Sequence, residues 1–78
     1  MNKEAIESYK QAIRIDPDDA KGHYNLGNAY FESGKYKEAI ESFKQAVRIN
    51  PDNANAHYNL GVAYRKSGMN KEAIEALP

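Results

Sequence analysis

The chain matches itself when slid by about 34 residues, with roughly two thirds of the aligned residue pairs identical. Lys3-Glu4-Ala5-Ile6-Glu7-Ser8 recurs as Lys37 to Ser42, and mostly again as Lys71 to Glu75. His23-Tyr24-Asn25-Leu26-Gly27 recurs as His57 to Gly61, and Pro17-Asp18 as Pro51-Asp52. A period of that size marks a solenoid, in which each unit buries its apolar side against its neighbours.

Within each unit the apolar spacing is helical. His23, Leu26, Gly27 and Tyr30 fall at i, i+3, i+4 and i+7. Tyr36, Ala39, Ile40, Phe43, Ala46 and Val47 make a second such stripe. No stretch alternates with period two, so strands are not expected. Ser33-Gly34 and Ser67-Gly68 close one kind of helix, because glycine accepts the left-handed conformation of a C-cap. Pro17 and Pro51 stop the other kind, since proline lacks an N–H and clashes with the preceding turn. Asp18 or Asp19, and Asp52 or Asn53, then stand where a side-chain oxygen caps the next helix. The pattern predicts helices at about 2–15, 19–33, 36–49 and 53–67, and a short one from about 70 to 77. Turns this short make neighbouring helices antiparallel.

Composition narrows the function classes. Lysine plus arginine equals aspartate plus glutamate, 11 each, so the chain lacks the basic stripe of a nucleic-acid binder. The same balance disfavours an acidic membrane surface, and no apolar run reaches the length of a span. Met1-Asn2-Lys3-Glu4 has no apolar signal core. The absence of cysteine fits a reducing, cytoplasmic setting and excludes disulfide support. A chain of 78 residues holds one small domain near the lower limit for an unaided core.

These residues identify the chain as resembling the tetratricopeptide repeat family, whose signature is Trp-x2-Leu-Gly-x2-Tyr, then Ala-x3-Phe, then Pro. His23, Leu26, Gly27, Tyr30, Ala39, Phe43 and Pro51 occupy those places in order. His57, Leu60, Gly61, Tyr64, Ala73 and Leu77 do so in the next unit, and Ala5, Tyr9 and Pro17 in the leading one. Histidine replaces the usual tryptophan twice. The frame is cut at both ends: 1–19 is the second helix of a partial repeat, 20–53 a complete repeat, and 54–78 a truncated one. The resemblance implies an all-α fold of antiparallel helix-turn-helix repeats stacked as a right-handed α-solenoid. It also implies a scaffold or adaptor that holds protein partners on a concave face lined by the first helix of each repeat.

On a helical wheel, the face opposite the core reads Lys21, Asn25, Asn28 and Glu32, then Asn55, Asn59, Val62 and Lys66. Tyr24, Tyr58, Phe31 and Arg65 flank it. Asparagine is a mediocre helix former, so its repetition on one face asks for a reason. A primary amide donates and accepts, and so grips a peptide backbone of any sequence; tyrosine adds apolar area with a polar tip. The expected peptide-binding set is Lys21, Tyr24, Asn25, Asn28, Asn55, Tyr58, Asn59, Val62 and Arg65. One familiar member of the family clamps a C-terminal carboxylate with lysine, arginine and asparagine. Asn28 and Asn59 match two of its asparagines, but Tyr24 stands where its lysine belongs, so carboxylate clamping is not expected.

The small residues Gly22, Ala29 and Ser33, repeated as Ala56, Ala63 and Ser67, read as a flank for close helix packing. Serines 8, 33, 42 and 67 have no partner base, so no nucleophilic site is expected. His23 and His57 lie a repeat apart, roughly the 8–10 Å between packed helices, too far to share zinc at about 2.0–2.1 Å. No enzyme activity, cofactor or metal is expected. Two classes remain: an adaptor for a protein or peptide partner, and a module that associates head to tail with its own copies. For the second, Ile6, Tyr9 and Ile13 are the expected contact, on a flank of helix 2–15 expected to be uncovered.

Overall fold

The structure, a computed structural model, describes residues 2–68, and the predicted segment 70–77 lies outside them. Four helices follow one another: α1 Asn2–Ile15, α2 Ala20–Glu32, α3 Tyr36–Ile49 and α4 Ala54–Lys66. Each lies within a residue of its expected bounds. The largest contact is α2 with α3, followed by α3 with α4 and α1 with α2, so neighbours in sequence are neighbours in space.

The boundaries have visible causes. Asp19 Oδ1 accepts from the Lys21 N–H at 3.0 Å and Asn53 Oδ1 from the Ala56 N–H at 3.1 Å, so each ties down an otherwise orphaned donor at a helix start. Of the residues expected as caps, these two act and Asp18 and Asp52 stand in the preceding turns. At the end of α2 the Lys35 N–H reaches Tyr30 O at 2.9 Å and the Gly34 N–H reaches Phe31 O at 3.0 Å. That double bond pattern needs a left-handed residue between helix and turn, and Gly34 takes φ +77° there, as Gly68 takes φ +90° after α4.

The core forms two linked clusters. Ala39, Ile40, Phe43, Leu60 and Ala63 of α3 and α4 form one, with Tyr24, Tyr30 and Phe31 of α2 packed against it. Ile6, Leu26 and Ala29 pack between α1 and α2, with Tyr9, Ile13 and Tyr30 against them. Leu26, Ala39, Ile40, Phe43, Ala46 and Leu60 are buried as expected. Tyr9, Tyr30 and Tyr64, which occupy signature places of the repeat, are only half-buried. A tyrosine keeps its hydroxyl at the rim when no buried partner is offered.

The flank assigned to self-association needs correcting. Ile6 is 8% exposed and sits in the cluster with Leu26 and Ala29, and Ile13 is half-buried against the same cluster. The reason is that α2 itself covers this side of α1. Gly22 lets it approach, since a Cβ there would lie 3.2 Å from Ile13 Cγ1.

The two histidines bridge turns and helices. His23 Nε2 lies 2.9 Å from Pro17 O, and His57 Nε2 lies 2.8 Å from Pro51 O. A carbonyl only accepts, so each ring donates from Nε2. Each bond ties the start of a repeat to the proline that ended the helix before it.

Candidate functional site

Helices α2 and α4 are the first helices of successive repeats and lie side by side. Between them runs an open groove of about 380 Å³, lined by Asn28, Phe31, Glu32, Phe43, Tyr58, Asn59 and Val62. Helical spacing puts these residues there. Asn28, Phe31 and Glu32 share a turn and a face of α2, while Tyr58, Asn59 and Val62 share one of α4.

An amide cluster spans the two repeats. Asn59 Nδ2 donates to the Tyr24 hydroxyl at 3.1 Å and to Asn28 Oδ1 at 3.2 Å. The Tyr24 ring rests on Phe43, with centroids 6.0 Å apart and planes tilted by 57°. Tyr24 is thereby held at both ends, by its ring on the core and its oxygen on Asn59. Both Asn59 amide hydrogens are engaged, but the cluster retains capacity at Asn59 Oδ1, the Asn28 amide hydrogens and the Tyr24 O–H. Donors and acceptors thus remain at the mouth of a groove whose other walls are largely apolar.

Three of the expected binding residues, Tyr24, Asn28 and Asn59, are brought together, and Tyr58 and Val62 join the groove wall. Tyr58 is 61% exposed. Lys21, Asn25, Asn55 and Arg65 are exposed and do not line the groove. Asn25 is the repeat counterpart of Asn59, yet no first helix stands before α2 among the described residues to offer it a tyrosine and an asparagine. The expected set omits Phe31 and Glu32, which line the groove. Their signal was their place one turn beyond Asn28. Phe31 is fixed by an edge-on contact with Tyr36, centroids 5.2 Å apart. Among the described residues Glu32 is the one charged residue lining the groove and makes that end of it acidic.

Among the described residues no group of three or more histidines, cysteines and carboxylates is placed to hold a metal ion. None of the described helices is long and apolar enough to cross a membrane.

A stack of capped, antiparallel helices with a groove along its first helices defines a helical-repeat interaction module. The family model described as TPR repeat matches residues 2–34 and 27–68, and the chain belongs to that family. An uncharacterised TPR repeat-containing protein of Arabidopsis thaliana is 43% identical over 35 residues, which is 45% of this chain and 4% of that protein. A crystal structure of MamA superposes with a TM-score of 0.92 at 29% identity, covering 96% of this chain and 41% of that one. A second MamA crystal structure gives 0.91 at 29% identity, covering 96% of this chain and 44% of its own. The chain therefore spans less than half the length of the proteins it matches. TPR repeats are generally protein–protein interaction modules, and TPR proteins bind protein partners.

Proposed function

We propose that this chain is an adaptor that holds an extended segment of a protein partner in the groove between α2 and α4. The observation that carries this reading is the amide cluster of Asn59, Asn28 and Tyr24 beside the apolar walls of Phe31, Tyr58 and Val62. The spare donors and acceptors of that cluster match the alternating N–H and C=O groups of an extended backbone. A volume near 380 Å³ falls at the lower end of ordinary ligand pockets and fits an apolar side chain of the bound segment. Glu32 favours a basic residue next to it.

With one complete groove, affinity is modest, because a short interface must offset the ordering of the bound segment. The test is a calorimetric titration with a panel of unstructured peptides that carry an aliphatic residue beside a lysine. Peptides in which the lysine is replaced by glutamate serve as comparison. The reading expects binding of the first set and at least about tenfold loss, about 1.4 kcal/mol, in Val62→Lys, which puts a charge like that of the peptide lysine on the apolar wall. Equal binding by Val62→Lys would remove the groove from the account.

A further inference from the structure

We infer that the groove between α2 and α4 selects arginine over lysine as the basic residue of the segment it holds. The guanidinium plane lies against the rings of Phe31 and Tyr58, and its N–H groups donate to Glu32 and to Asn59 Oδ1. This rests on the adaptor reading above and adds to it the side chain that the groove recognises. Among the described residues, two rings line the groove within a ligand's reach, one from each helix. Phe31 of α2 is half-buried, and Tyr58 of α4 is 61% exposed. Phe43 lines the groove too but is fully buried, so it closes the floor and leaves the contact to the other two. Phe31 is braced by Tyr36, with centroids 5.2 Å apart and planes at 66°, so its position does not wait for a ligand.

Around those rings stand acceptors without partners. Glu32 is exposed, and among the described residues its carboxylate makes no ion pair or hydrogen bond. Asn59 uses both hydrogens of Nδ2 on Tyr24 and Asn28, which leaves Oδ1 an acceptor with no described donor. Phe31 and Glu32 are also the last two residues of α2, so the partial negative charge of that helix end adds to the carboxylate. None of the described lysines or arginines lines the groove to oppose a cation. The site therefore asks for a cation with several donors and flat apolar faces. A guanidinium has five N–H donors in one plane and no acceptor. It is weakly hydrated, and it stacks on aromatic rings while its edge donates to a carboxylate. An ammonium is a compact, strongly hydrated charge with no flat face, so it meets Glu32 without covering Phe31 and Tyr58. The spare Asn28 amide hydrogens then serve a backbone carbonyl of the same segment.

The test uses unstructured peptides that differ at a single position, beside an aliphatic residue, which holds arginine, lysine or citrulline. Citrulline keeps the flat, donor-rich end and lacks the charge. Each peptide is titrated into the full chain, and its dissociation constant is read from the Asn28 and Asn59 side-chain amide shifts. The arginine peptide should bind about three- to fivefold more tightly than the lysine peptide, the scale of an exposed cation–π contact. It should also bind more tightly than the citrulline peptide. Tyr58→Leu keeps an apolar side chain and loses the ring, and should shrink the arginine advantage over lysine. Glu32→Gln should weaken the arginine peptide about threefold and leave the citrulline peptide unchanged. Both positions are exposed, so both variants should melt like the parent. Equal affinity for arginine and lysine, equal affinity for arginine and citrulline, or an arginine advantage that survives Tyr58→Leu intact would each overturn the inference and leave the adaptor reading standing. Groove amides that none of the peptides shifts would overturn both.

Discussion

The ring of Phe43 occupies the space a side chain on Gly27 would need: a Cβ there would lie 2.6 Å from both Cδ1 and Cε1. Phe43 is fully buried and cannot swing out of the way. Gly27→Ala therefore gains about 1 kcal/mol of helix propensity and loses about 1–3 kcal/mol to overpacking. A net loss is predicted, read as a melting temperature lowered by several degrees. Gly22→Ala is the contrast. Its Cβ would meet only Ile13 Cγ1 at 3.2 Å, which a movement of a few tenths of an ångström in this half-buried side chain relieves, so the propensity gain should dominate and the melting temperature should hold or rise. Equal effects of the two substitutions on thermal melting would show that helix propensity, not the ring, governs both sites.

Removing the ring itself is the harsher change. Phe43→Ala should cost about 3–5 kcal/mol, as for other buried aromatics. That consumes much of the stability of a small domain, so circular dichroism should show the variant largely unfolded near ambient temperature.

The asparagines separate by their partners. Asn59→Ala deletes two hydrogen bonds in a part-buried cluster, worth about 0.5–1.5 kcal/mol each before the helix-propensity gain. Asn25→Ala, at an exposed counterpart, keeps only that gain. Chemical denaturation should find Asn59→Ala less stable than Asn25→Ala. The reverse order would contradict the bridge between repeats.

In the uncharged form both histidines should be Nε2–H tautomers, because each Nε2 faces a proline carbonyl at 2.9 or 2.8 Å. Long-range nitrogen–proton correlation spectra distinguish the tautomers directly. His23→Phe keeps a ring and loses the bond, and should cost about 0.5–1.5 kcal/mol at most, given its half-exposed setting.

Much of this was legible in the sequence, for physical reasons. The helix ends were readable because Pro17, Pro51, Gly34 and Gly68 permit few alternatives, and the caps Asp19 and Asn53 are local. The buried stripe of α3 was readable from its spacing. The side of α1 that lies open was not. Periodicity shows that Ile6, Tyr9 and Ile13 share an apolar flank, but not which neighbour covers it. Only the packing shows that Ile6 is covered by α2 while Ser8 and Ala12 are exposed. Likewise the amide pattern marked Asn28 and Asn59 as a shared face, but their bond to one another depends on the distance between α2 and α4. Asn25, alike in sequence, joins no cluster because no first helix stands before α2 among the described residues.

The central claim, that the α2–α4 groove receives an extended partner segment, is tested most directly by mapping amide chemical shifts while an unstructured peptide carrying an aliphatic residue beside a lysine is titrated in. The account predicts saturable shifts at the Asn28 and Asn59 side-chain amides and at the backbone of Phe31, Tyr58 and Val62, with the exposed face of α3 at Lys37 and Glu41 unmoved. Saturable shifts centred on α1 or on the outer face of α3, with the Asn28 and Asn59 amides unchanged, would contradict it.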